Sequence, residues 1–142
     1  MVIIDTSVVF KWFSKTEDNR QIAKNILEKH LLGQNEITVP DLLLYEITNA
    51  WTTKTKVDLS LINKNLLALK NYSLNIMPVN FKLLKKASEY SVKYKVSVYD
   101  AVYAVLAKEK KCNLITADIK FTKKVNLPFI KSLDQVIKNK KI

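Results

Sequence analysis

Val2-Ile3-Ile4-Asp5-Thr6-Ser7-Val8 sets three consecutive aliphatic residues against an acid and two hydroxyls. An apolar run with no polar alternation suits a strand buried on both faces, the kind found in parallel sheets covered by helices. Leu114-Ile115-Thr116-Ala117-Asp118 repeats the pattern, and Ile37-Thr38-Val39, closed by Pro40, is a shorter relative of it. Helical periods fill the intervals. Val8–Phe13 predicts a short helix and Asp18–Leu32 a longer one, followed directly by Gly33, the one glycine, where a helix terminus favours it. Further helices are expected at Leu42–Lys56, Leu59–Asn71, Phe81–Tyr94 and Val98–Lys111. Ile76–Val79 reads as an edge strand because of Pro78, and Phe129-Ile130 as a fifth strand before a C-terminal helical segment.

Strands separated by helices imply an α/β domain with a mostly parallel central sheet covered on both faces. Two connections are expected to hold two helices each, so one helix of each pair must lie across the sheet or project from it. The 142 residues suit a single domain over 1–142, with the lysine-rich tail at 138–142 expected to fray. At 48% hydrophobic and 26% charged, the chain can bury a core and is not of disordered composition. It contains no apolar run long enough to span a membrane and no signal-peptide pattern, which predicts a soluble cytoplasmic protein without a membrane partner. The single cysteine, Cys112, excludes an internal disulfide and a cysteine-rich zinc site, and reads as a small core residue. The single histidine, His30, excludes paired-histidine acid–base chemistry.

Charge is unevenly distributed. The formal net charge is +11, from 24 basic and 13 acidic residues, with Arg20 the one arginine. Residues 1–71 hold 9 basic and 8 acidic side chains, whereas residues 72–142 hold 15 and 5. A polyanionic partner and a merely lysine-rich surface account equally well for that excess.

Sites in open α/β sheets form beyond the carboxyl ends of the strands. Asp5 and Asp118 stand there, one after the first strand and one after the fourth. Taken singly, each is accounted for by helix capping, with Thr6 or Ser7 serving as well as Asp5. Glu46 is more informative, because its helical neighbours are Leu42, Leu43 and Ala50, on the apolar face. An ionised carboxylate there needs a lysine partner, hydrogen bonds or a metal. Ser97-Val98-Tyr99-Asp100 fits a capping box, yet Asp100, Ala104 and Ala107 also form a stripe of small residues, and the helix end favours an ionised Asp100. None of the four acids has an obvious local basic partner. Carboxylates converging in one cleft repel unless a divalent cation neutralises them, and Mg2+ or Mn2+ suits an all-oxygen site. Beside a basic surface, such a site points to metal-assisted phosphodiester hydrolysis.

Four motifs, Ile4-Asp5-Thr6-Ser7-Val8, Leu44-Tyr45-Glu46-Ile47, Ser97-Val98-Tyr99-Asp100-Ala101-Val102-Tyr103-Ala104 and Leu114-Ile115-Thr116-Ala117-Asp118, resemble the PIN-domain pattern in order and spacing. The resemblance spans nearly the whole chain and is nearest to the VapC-like toxin branch. It implies a three-layer α/β/α Rossmann-like domain and a Mg2+- or Mn2+-dependent endoribonuclease of a toxin–antitoxin pair. Carried over by position, Asp5, Glu46, Asp100 and Asp118 are the catalytic, metal-binding quartet, with Thr116 and Thr6 as supporting hydroxyls. Asp5 and Asp100 are the expected direct ligands, and the expected reaction is in-line attack on phosphorus by a water that the metal activates. A homodimer and a small antitoxin that occludes the cleft and represses its own operon are implied as well. The family often has a basic residue just after the last acid, whereas here Ile119 intervenes before Lys120. Lys120, Lys123 and Lys124 are nonetheless the lysines best placed to meet an RNA backbone, unless they are only the solvated face of a short helix. Trp12 and Trp51 sit at apolar helical positions that favour packing over base stacking.

The alternatives are a PIN-like RNA-processing nuclease without an antitoxin and a non-catalytic basic nucleic-acid-binding module. A haloacid-dehalogenase-type phosphatase needs a second acid at position 7, which is serine, and a phospho-acceptor receiver domain needs adjacent acids at the first strand.

Overall fold

A computed structural model describes residues 1–56 and 58–139. The expected fraying of the 138–142 tail falls largely outside them, on 140–142. Five strands, β1 (Val2–Ile4), β2 (Ile37–Pro40), β3 (Asn75–Met77), β4 (Leu114–Thr116) and β5 (Ile130–Ser132), form one sheet in the order β3-β2-β1-β4-β5. Every pairing is parallel, so the sheet is wholly rather than mostly so. The inner strands carry no polar alternation because both of their faces are covered: all of Val2–Ile4, Ile37–Pro40 and Leu114–Thr116 is buried.

The helices are α1 (Thr6–Trp12), α2 (Arg20–Leu31), α3 (Leu42–Thr53), α4 (Leu59–Asn71), α5 (Phe81–Tyr94), α6 (Val98–Lys110), α7 (Ile119–Val125) and α8 (Leu133–Asn139). Three connections, not two, carry a helix pair: besides α3–α4 and α5–α6, the short helix α1, which the sequence also predicts, pairs with α2 between β1 and β2. Asp5 itself caps α1, accepting from the Ser7 and Val8 amides, so the helix starts at Thr6 rather than Val8. Asn19, at φ 59°, delays α2 to Arg20, and Gly33, at φ 70°, closes it. β3 stops at Met77 because the Val79 amide is taken by the Asp41 side chain at 3.1 Å.

α6 answers which helix of its pair projects. Ala101 to Ala107 are buried without interruption. Tyr103, Ala104, Leu106 and Ala107 pack into the main core with the sheet, whereas Ala101, Val102 and Val105 pack against Leu83 and Ala87 of α5. α6 is thus enclosed between sheet and helix, and α5 is the outer layer, leaving Phe81 and Val92 exposed. Trp12 and Trp51 are core residues, and Cys112 is half-buried at its edge. Among the described residues no helix is long and apolar enough to cross a membrane.

The lone histidine joins three elements. His30 Nδ1 accepts from Ile37 N at 3.1 Å, and its Nε2 lies 2.8 Å from Tyr72 O. An amide only donates and a carbonyl only accepts, so these partners select the neutral Nε2–H tautomer. His30→Ala leaves a strand amide and a carbonyl unpaired, and urea unfolding is expected to show a loss of about 1–3 kcal/mol.

Candidate active site

The chain runs β1→β2→β3 towards one edge, then returns across the sheet through α5 and α6 to β4 on the other side of β1. The order therefore reverses between β1 and β4, and a crevice opens beyond their carboxyl ends. Ile4 pairs with Ile115, so Asp5 and Thr116 come next in register on adjacent strands.

Asp5 is buried and richly bonded. Ser7 Oγ donates to Oδ1 at 2.5 Å, Thr116 Oγ1 donates to Oδ2 at 2.5 Å, and the Ser7 amide adds a 3.1 Å bond to Oδ1. The same hydroxyls reach onward, Ser7 Oγ accepting from Ala117 N at 2.9 Å and Thr116 Oγ1 from Asp118 N at 3.0 Å. Asp118, exposed, caps α7 by accepting from Phe121 N at 3.0 Å. Two hydroxyls thereby lock the ends of β1 and β4 and the start of α7 into one network.

Glu46 reaches the crevice from α3, half-buried. Its partner is not a lysine. Tyr103 OH donates to Oε1 at 2.6 Å and Thr6 Oγ1 donates to the same oxygen at 2.9 Å, the two hydroxyls lying 3.1 Å apart. Asp100 stands in the first turn of α6, where Ser97 Oγ caps the helix by accepting the Asp100 amide at 3.1 Å.

Burial pushes the Asp5 carboxyl up from 3.8 to about 6, against the Ser7 and Thr116 hydrogen bonds, with a further push from Asp100. Asp100 is also raised, by burial and then by Asp118, with Ser97 opposing and Glu46 adding. The expected preference of the helix end for an ionised Asp100 is thus outweighed by burial and like charge. Burial and the Glu46 charge keep the Tyr103 phenol protonated, as a donor.

Asp100 therefore lies within electrostatic reach of Asp5, Glu46 and Asp118, and none of the four has a basic side chain within ion-pair distance among the described residues. The ion pairs among the described residues are Lys11–Glu17 and Lys86–Glu109. No three of the acids are gathered tightly enough to cage a cation as they stand, among the described residues. Yet all-oxygen donors, mutual repulsion and no counter-charge are the conditions that a hard divalent cation relieves, and the residues fit one on that chemistry.

The PIN domain family model matches residues 2–127. The chain belongs to the PIN-domain family. Among solved structures it resembles a toxin–antitoxin complex from Klebsiella pneumoniae, at 17% identity and TM-score 0.71, over 94% of this chain and 98% of that one. VapBC2 from Rickettsia felis, bound to a promoter DNA fragment, is 20% identical with TM-score 0.70, over 93% and 98%. Mycobacterium tuberculosis VapC20, a sarcin–ricin loop cleaving toxin, is 15% identical with TM-score 0.67, over 87% and 94%. At these identities the likeness is one of fold. No curated protein matches the sequence.

Within this PIN domain the crevice opens into a cleft of about 460 Å³ lined by Thr6, Ser7, Glu46, Asn49, Lys11 and Lys54, among others. Lys120, Lys123 and Lys124 are exposed on α7, whose inner face buries Phe121 and Val125, and Lys123 borders a separate hollow. Sequence reasoning assigned no role to Tyr103, Lys11 or the Ser7 link to Asp5 and Ala117. Spacing held a signal for each: Tyr103 follows Asp100 by three residues and Lys11 follows Ser7 by four, so each pair shares a helix face.

Three expectations follow for this site. Tyr103→Phe keeps the buried ring but removes a donor from Glu46, so divalent-cation stabilisation, read by thermal shift, should need about ten times more Mg2+ or Mn2+. Asp100→Asn relieves like-charge repulsion and should raise the cation-free Tm by about 2–4 °C while abolishing most of the cation-induced shift. The pH dependence has a definite sign. Between about 4 and 6 the folded protein holds a proton on Asp5 that the unfolded chain has lost, so cation-free stability falls as pH rises through that window. Cation binding needs the ionised form, and the Tm gain on adding Mg2+ should be larger at pH 7.5 than at pH 5.

Proposed function

We propose that this protein is a Mg2+- or Mn2+-dependent endoribonuclease and the toxin of a toxin–antitoxin pair. What supports the reading is that Asp100 lies within electrostatic reach of Asp5, Glu46 and Asp118, and that none of the four has a basic side chain at ion-pair distance among the described residues. Bound there, a divalent cation would supply a Lewis acid that activates water and offsets charge developing on phosphoryl oxygens. Asp5 and Asp100 would hold it directly, with Glu46 and Asp118 contributing directly or through waters. Ser7 and Thr116 orient Asp5 while Oδ2 keeps a free lone pair. Thr6 and Tyr103 both bond Oε1 of Glu46, which leaves Oε2 uncommitted. Lys120, two residues beyond Asp118, with Lys123 and Lys124, neutralises RNA phosphates along α7.

Membership of the PIN family supports a nuclease, and the sarcin–ricin loop cleaving relative supports RNA as substrate. The relatives solved as toxin–antitoxin complexes, one of them on promoter DNA, support a small antitoxin that covers the cleft and represses its operon. We also infer a homodimer, which light scattering tests by its mass.

The purified protein, incubated with a mixed single-stranded RNA pool and Mg2+ or Mn2+, should cleave it, and chelator should stop the reaction. Asp5→Asn and Asp100→Asn should each lower the rate at least about 100-fold, as loss of charge stabilisation in a transition state does. Cleavage that persists in chelator, or equally in both variants, defeats the reading and marks a contaminating nuclease.

A further inference from the structure

Among the described residues Lys11 is the one buried lysine, 8% exposed, on α1 one turn after Ser7. Its ammonium donates to Asp18 O at 2.7 Å and lies 3.6 Å from Glu17 Oε2, beyond hydrogen-bond length. An ammonium has three N–H donors, and among the described residues only one finds an acceptor. Holding the 14–19 loop through one carbonyl leaves two N–H donors of that ammonium without a protein acceptor.

The position of Lys11 suggests what takes them. It lines the 460 Å³ cleft with Ser7 and Glu46, and also an adjoining hollow of about 550 Å³ with Ala117 and Ile119. It thus stands at the seam of two open spaces on either side of Ala117, beside the acids but too far from them to neutralise them. Lys54 borders the first cleft and is exposed. Glu17 also lines both spaces and is 41% exposed, so it can swing into solvent.

We propose that Lys11 is a binding residue for an RNA backbone phosphate other than the one cleaved, and that Glu17 competes with that phosphate. The proposal rests on the ribonuclease reading and adds to it the path of the strand, which runs along the α1–α3 cleft past Lys11 and Lys54 before reaching α7. The two uncommitted N–H donors of Lys11 go to phosphate oxygens, and Glu17 turns outward as the phosphate enters.

Lys11→Met keeps the buried stem and removes the charge. Cleavage of a single-stranded RNA should show KM raised about tenfold with kcat nearly unchanged. In an Asp100→Asn background, the slope of log K against log salt should fall in magnitude by about 0.7, one single-strand phosphate contact. Glu17→Gln should tighten RNA binding two- to threefold, and that gain should vanish when combined with Lys11→Met, as coupled residues require. Lys82→Met, on the outer helix α5, controls for loss of any one charge. Unchanged KM and salt slope in a folded Lys11→Met protein overturn the proposal, as does a Glu17→Gln gain that survives without Lys11. If Lys11→Met does not fold, Glu17→Gln alone decides, and no tightening overturns it. Wild type that neither binds nor cleaves RNA defeats the ribonuclease reading itself, whereas active wild type with indifferent variants defeats only the assignment of Lys11.

Discussion

Hydroxyls on Ser7 and Thr116 hold the carboxylate of Asp5 where burial works against its charge, and the geometry of the crevice depends on that grip. Each hydroxyl spends its proton on Asp5 and its lone pairs on a backbone amide after β4. The link is therefore more than a local cap. It ties the end of β1 to the end of β4 at the point where the strand order reverses, and it sets Asp118 at the start of α7. Even so assisted, burial leaves the Asp5 carboxyl pushed up to about 6, so the hydroxyls reduce the burial penalty without removing it. A carboxylate kept in that condition is poised to gain from a cation more than a solvated one would.

Glu46 and Asp100 are held on the same principle by different means. Neutral hydroxyl donors orient Glu46 without cancelling its charge, which a lysine partner would have done. Asp100 and Tyr103 ride on α6, and α6 is enclosed between the sheet and α5. The outer helix α5 thus has a stake in the site, because it removes the freedom of the helix that carries two of its groups. Repulsion among the acids is the cost of this arrangement, and the burial of α6 on both sides offsets it.

Much of this was legible in the residues. The inner strands could be located because full burial leaves uninterrupted apolar runs, and α4 and α5 match their periods to the residue. Edge strands were less legible: β3 is shifted towards its start because a side-chain bond from Asp41 ends it, and a tertiary contact leaves no local mark. The pattern of α6 announced burial but not the sandwich, since a helix apolar on all sides looks the same whatever covers it. The acids stood out because each sits at an element end or on an apolar face. Tyr103 and Lys11 did not, because a tyrosine in an apolar run and a lysine on a short helix have ordinary explanations until the partner elements are in place.

The charge of the chain shows why position outweighs sum. Nearly all of the excess lies in residues 72–142, the half that also holds Asp100 and Asp118. Yet Lys108 and Lys111 belong to a hollow of about 750 Å³ between α5 and α6, shared with Lys82 and Lys86. Asp100, in the first turn of α6, and Lys111, its C-cap, lie about 16.5 Å apart at helical rise, well beyond the screening length of about 8 Å in physiological salt. Those lysines shape the far field that a polyanion meets first, and contribute little at the crevice. The basic side chains that line the cleft, Lys11 and Lys54, come from the electrically balanced half of the chain. A parallel α/β fold makes this separation natural, because the carboxyl ends of all its strands meet at one edge. Elements distant in sequence supply the few charges that matter there, so the position of a lysine, and not the net charge of its segment, decides whether it reaches the site.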